Sequence, residues 1–206
     1  MVDWHGAFSG HLEPGNSPAL LLVDPVAAYV EPASPLFLES GRAAIGRMAE
    51  LAAQFRARGF PVIWTGVRYE SGGTDGGHFF KKVPVLEVFV GESALGTFPA
   101  ELTPLADEPV FLKQYPSAFF RTELDAWLRK HAIDTLYIGG FSTSGCVRAS
   151  TLDTLQHGYI PIVVSDACAD RDADLHGQNL RDLKAKYGEI VVSAQVPTML
   201  ETGKLP

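Results

Sequence analysis

Cysteine is scarce. Cys146 and Cys168 are the only two in 206 residues, far apart in the chain, so a disulfide framework is a poor reading, and neither has a resolving thiol beside it in sequence for redox work. Basic runs are also missing. With a formal net charge of -7 and no cluster of lysine or arginine to grip a phosphate backbone, nucleic acid is not an expected partner. No apolar stretch has the length a bilayer needs, and the first residues hold no basic segment followed by an apolar one. A cytoplasmic protein with no membrane partner is therefore expected. No repeat, low-complexity segment or linker divides the chain, and 46% hydrophobic residues suffice for a sizeable core. One domain over residues 1–206 is expected, with 1–17 as a polar, glycine-rich arm carrying His5 and His11.

What is present alternates between short apolar runs and amphipathic segments. Ala19 to Val23 reads as a buried strand that ends at Asp24. Gly41 to Arg58 reads as a helix with Ile45, Met48, Leu51, Ala52 and Phe55 on one side and Gly59 as its stop. Phe60 to Val67 is a second strand, delivering Arg68 and Tyr69. Residues 70–82 read as a long mobile or subunit-packed loop, with Phe79, Phe80, Val88 and Phe89 as packing groups. Glu108 to Lys113 is a third strand. After it Phe119 and Phe120 are expected to pack, and a helix spans Thr122 to Lys130 with Leu124, Trp127 and Leu128 inward. Leu136 to Ile138 ends a fourth strand. A turn of small residues then carries Cys146 into a helix whose apolar positions are Val147, Leu152 and Leu155, stopping at Gly158. Tyr159 to Ser165 is a strand ending in Asp166. A polar loop with Arg171 follows, then a helix from Leu175 to Tyr187 and a last strand from Glu189 to Ser193. Six strands alternating with helices predict an α/β fold, a three-layer α/β/α doubly wound arrangement around a mostly parallel six-stranded sheet.

In such a sheet the strand ends share one edge, so Asp24, Lys113 and Cys146 can converge although they are distant in sequence. A thiolate is a good nucleophile for an acyl or carbamoyl carbon, an adjacent ammonium favours that thiolate, and a carboxylate can take and return the proton. Backbone amides of the turn from Ser142 to Cys146 would suit an oxyanion. Each residue also has a plainer reading: a capping Asp24, a snorkelling Lys113, a buried structural Cys146.

The segments GGFSTSGCVRAS, LLLVDPVAAYV and FLKQYPSAFF, in this order of context, resemble the isochorismatase-like cysteine hydrolases, and among them the N-carbamoylsarcosine amidohydrolases and maleamate amidases. The resemblance runs from about Ala19 to Val196. It implies Asp24 as general base and acid, Lys113 as the partner that stabilises the thiolate, Cys146 as nucleophile, and the amides of Ser142 and Cys146 as oxyanion donors after a cis Phe141–Ser142 peptide. It also implies ammonia release from a small carboxylate-bearing N-carbamoyl compound or amide, without metal or organic cofactor. Maleamate-like substrates and biuret-like ureides stand as alternatives, and a scaffold that keeps only the fold stands as a different class. Arg171 matches the position that holds a substrate carboxylate; Arg68 is a second candidate, Thr143 a third contact, and Arg148 a brace. Nicotinamidases of the family carry an Asp-x-His metal motif after the second strand. Here WTGVRYESGGTDGGH has Asp75 and His78 but not that motif, and His131, His157 and His176 lack ligand spacing, although His176 lies near Arg171. A homo-oligomer, dimer or tetramer, is the family expectation.

Overall fold

The computed structural model describes residues 6–206. Six strands, β1 (Pro18–Val23), β2 (Val62–Val67), β3 (Val110–Lys113), β4 (Thr135–Phe141), β5 (Ile160–Ala169) and β6 (Glu189–Val191), form one sheet in the order β3-β2-β1-β4-β5-β6. Every pairing is parallel, so the sheet is wholly rather than mostly so. The reversal of strand order falls between β1 and β4, the crevice where open α/β sheets hold ligands.

β1 shows why the sheet sits between two helical layers. Leu20 and Leu22 join one core with Ile45, Met48, Leu51 and Phe55 of α1 (Gly41–Ala57) and with Met199 of α6 (Val196–Thr202). Ala19, Leu21 and Val23 join the other, with Leu124 and Leu128 of α3 (Leu124–Lys130) and Leu183 of α5 (Ala173–Lys186). The period-2 alternation of a strand thus feeds both layers, and each fully buried leucine contributes roughly 1.5–3 kcal/mol. α1 ends as its sequence predicts, with Gly59 at a φ of 71° and its amide on the Arg56 carbonyl at 3.0 Å.

Several boundaries differ from expectation. Residues 70–82 are not a structureless excursion: they hold a short turn of helix at Ser71–Gly73 and α2 (Gly77–Lys82), followed by a 3-10 stretch at Pro84–Phe89. Phe80 packs edge-on against the buried Tyr69, while Phe120 is 47% exposed instead of packed inside. β5 does not end at Asp166. It runs on to Ala169 past a register shift opposite Ile138 and Gly140, and α5 begins at Ala173, so the polar loop shrinks to residues 170–172. Asp166 instead accepts from the Ser193 amide at 2.7 Å and hydroxyl at 2.6 Å. The cysteine helix α4 (Arg148–Gln156) buries Ser150, Thr151 and Thr154 rather than Leu152 and Leu155. Their hydroxyls are satisfied locally: Thr151 donates to the Val147 carbonyl and Thr154 to the Ser150 carbonyl.

Of the expected N-terminal arm, His5 lies outside the described residues. His11 is 3.4 Å from Glu189, and the Leu12 amide donates to the same carboxylate at 2.8 Å. The edge strand β3 is anchored at its start by Glu108, which accepts from Arg56 at 2.7 and 2.8 Å and from the Trp64 indole at 2.8 Å. That anchor fixes where β3 delivers its last residue, Lys113.

Candidate active site

Asp24 follows β1 with a φ of 50°, a left-handed conformation that aspartate tolerates better than most residues. The bend turns its carboxylate inward, and the side chain is wholly buried. Lys113, 1% exposed at the end of β3, donates to Asp24 Oδ2 at 2.7 Å and to the Tyr115 carbonyl at 3.0 Å. Thr65 on β2 completes the arrangement. Its hydroxyl donates to Asp24 Oδ1 at 2.6 Å and accepts from the Asp24 amide at 3.1 Å. Each Asp24 oxygen therefore has at least one donor, as a buried charge requires.

Cys146 approaches from β4. Gly140, at a φ of 134°, lies so close to the Val23 carbonyl that any Cβ there would collide with it, so the glycine lets β4 close on β1 just before Asp24. The Phe141–Ser142 peptide is cis, as the family resemblance implies. One wide helical turn, Thr143–Val147, then presents the sulfur, and α4 follows. Cys146 interacts with both Asp24 and Lys113 by charge and by side-chain hydrogen bonding. Burial pushes its thiol up to about 12; the Lys113 ammonium opposes that rise and the Asp24 carboxylate adds to it. Burial thus works against the thiolate that the Lys113 ammonium favours. Burial would lower the Lys113 pKa, but Asp24 and then Cys146 outweigh it and the pKa is raised, so the ammonium persists.

The segments bearing lysine and sulfur are tied to each other. Ser117 donates to Asp153 of α4 at 2.5 Å, and the Ala118 amide donates to Ser150 Oγ at 2.9 Å. Asp170 accepts from the Ser144 amide at 2.6 Å and from the Arg171 amide at 2.9 Å, fixing the other side of the cysteine turn.

These groups border a cleft of about 720 Å³. Its walls are mostly apolar, among them Leu36, Phe37, Phe79, Val83 and Leu86, and Ser142, Gly145 and Cys146 line it together with Tyr29, Tyr69 and Tyr115. Arg171 lies at the cleft with its side chain 70% exposed and 3.7 Å from Asp170. Arg148 also borders it, held by Asp182 at 2.5 Å, in keeping with a bracing role. Two expected substrate contacts are not at the cleft. Arg68 is exposed and does not border the cleft, whereas its neighbour Tyr69 is buried and does. Thr143 is buried, donating to the Ala169 carbonyl at 3.1 Å, with its oxygen 2.8 Å from His176 Nδ1. His176 therefore braces the turn from behind.

The family model for the isochorismatase domain matches residues 18–195. The chain belongs to the isochorismatase family. Among curated relatives, the maleamate amidohydrolase of Pseudomonas putida is 39% identical over 190 residues, covering 92% of this chain and 89% of that protein. The N-carbamoylsarcosine amidase of an Arthrobacter species is 29% identical, covering 91% of this chain and 72% of that protein. A solved cysteine hydrolase from Pseudomonas syringae pv. phaseolicola superposes with a TM-score of 0.88 over 95% of this chain and 99% of its own; at 24% identity that likeness speaks to the fold.

Thr65 carries no motif and was not singled out by the sequence; a hydroxyl one strand away from an acid gives no signal until the register Leu22↔Trp64 is known. Thr65→Val is expected to leave Asp24 Oδ1 short of a donor, costing about 1–3 kcal/mol of stability and slowing turnover roughly tenfold or more. Thr65→Ser should restore most of both. Thermal melts and steady-state rates on the two variants check this; equal losses in valine and serine forms would remove the hydroxyl from the account.

Proposed function

We propose that this chain is a cysteine-dependent amidohydrolase releasing ammonia from a small carboxylate-bearing amide. The observation that carries the reading is the buried Asp24–Lys113 ion pair acting directly on the Cys146 thiol bordering an apolar cleft. Identity over nearly the full length of a maleamate amidohydrolase supports a maleamate-type substrate. An N-carbamoyl amino acid is the second reading, favoured by the likeness to an N-carbamoylsarcosine amidase and by Arg171 at the cleft.

The steps follow from the groups present. Asp24 takes the thiol proton as the sulfur attacks the amide carbon, and the Lys113 ammonium compensates the charge that moves between them. The tetrahedral oxyanion is held by the Ser142 and Cys146 amides. Asp24 returns its proton to the nitrogen, ammonia leaves, and a thioester remains. Water then attacks that carbonyl while Asp24 takes the water's proton. The C–S bond breaks, the acid product departs, and the proton returns to sulfur. Arg171 offers its guanidinium to the substrate carboxylate.

Ammonia release across maleamate, N-carbamoylsarcosine, other N-carbamoyl amino acids, biuret and nicotinamide tests the reading. Turnover of maleamate or an N-carbamoyl amino acid well above the others is expected. In the preferred substrate's assay, Arg171→Ala should raise KM about five- to tenfold with little change in kcat, because an exposed ion pair is weakened by solvent. Silence across the panel would defeat the proposal.

A further inference from the structure

Tyr29 carries a cleft hydroxyl that has nothing to do in the free protein, on a side chain that is otherwise buried. It ends a 3-10 turn, Ala27–Tyr29, that begins three residues after Asp24. Its ring is buried against Phe141, with centroids 5.1 Å apart, and its backbone is pinned at both ends: its amide donates to the Val26 carbonyl at 3.2 Å, and its carbonyl accepts from Leu38 at 3.0 Å. Among the described residues the hydroxyl has no hydrogen-bond partner. Nor is it sealed in the core, where the unpartnered side-chain atoms are Gln54 Oε1 and Tyr137 OH; Tyr29 borders the cleft. A rigid, nearly dry phenol thus stands open beside the sulfur.

We propose that the Tyr29 hydroxyl is the specificity-determining donor of the cleft, giving its hydrogen bond to the substrate carboxylate. This rests on the hydrolase reading above and extends it. Burial, then the charges of Cys146, Asp24 and Asp170, keep the phenol pKa well above its ordinary range, so the group donates at any working pH. The choice of an oxygen acceptor follows from the surroundings. Ammonium-like groups would already be served by Asp24 and Asp170; of the cleft's cations, Lys113 is paired with Asp24 and Arg148 with Asp182, which leaves an anion Arg171, 70% exposed and beside Asp170. A hydrogen bond made in a dry site discriminates more than an ion pair made in water. The 8% exposed phenol should therefore outweigh the guanidinium in selecting for a carboxylate.

Tyr29→Phe removes one oxygen that bonds nothing in the free protein, so the variant should melt where the parent does. For the carboxylate-bearing amide that the parent turns over best, KM should rise on the order of 10- to 100-fold while kcat stays within about threefold. The methyl ester of the same amide should show no such rise. A KM unchanged for the acid, or raised equally for acid and ester, overturns the proposal. Calorimetric titration with maleate separates this from failure of the hydrolase reading: the dicarboxylate should bind the parent and bind Tyr29→Phe about tenfold or more weakly even if no amide is turned over. Equal affinity, or no binding to the parent, rejects the role of the phenol.

Discussion

Cys146→Ala is expected to lower ammonia release by roughly 10⁴-fold or more while leaving the fold intact, since the other groups cannot replace a missing nucleophile. The side chain is partly open to the cleft, so its truncation removes little core. The chemistry of the sulfur adds a second readout. With the thiol raised to about 12 by burial, iodoacetamide should label the free enzyme slowly at neutral pH and faster as pH climbs, because only the thiolate alkylates. A labelling rate that levels off below pH 8 would mean a preformed thiolate, and the proton transfer to Asp24 would have to be abandoned. Intact-protein mass spectrometry measures the rate, and the alanine variant supplies the blank.

The second large effect concerns the ion pair. Lys113→Met should destabilise the protein by about 3–5 kcal/mol, lowering its melting temperature by roughly 10 °C or more, because Asp24 is left buried without its counter-charge. Adding Asp24→Asn removes that stranded charge, so the double variant should recover most of the stability. Neither variant should turn over substrate. Recovery of stability without activity would assign the pair to chemistry; a double variant as unstable as the single would instead make the pair a structural necessity.

The layout of the fold was legible because its signals are local. The apolar run before Asp24, the one-sided pattern from Ile45 to Phe55 and the stop at Gly59 each depend on neighbours in sequence. Asp24, Lys113 and Cys146 were visible as a set through the family motifs, and the sheet order explains why they meet. The misreadings share a cause as well. Asp166 looks like a strand end, yet β5 continues because its carboxylate finds the Ser193 amide across the sheet edge. Leu152 and Leu155 look like the inward face of α4, yet Ser150, Thr151 and Thr154 are the residues it buries. Arg68 and Thr143 have the right chemistry, but the first is exposed and the second is consumed by Ala169 and His176. Thr65 and Tyr29 emerge only in three dimensions, since what distinguishes them is a partner in one case and the want of one in the other.

The stitches from Ser117 to Asp153 and from Ala118 to Ser150 join the segment that follows the ammonium's strand to the helix that follows the sulfur. A change that displaces one of these two segments is therefore expected to reach the other, holding the spacing between ammonium and sulfur.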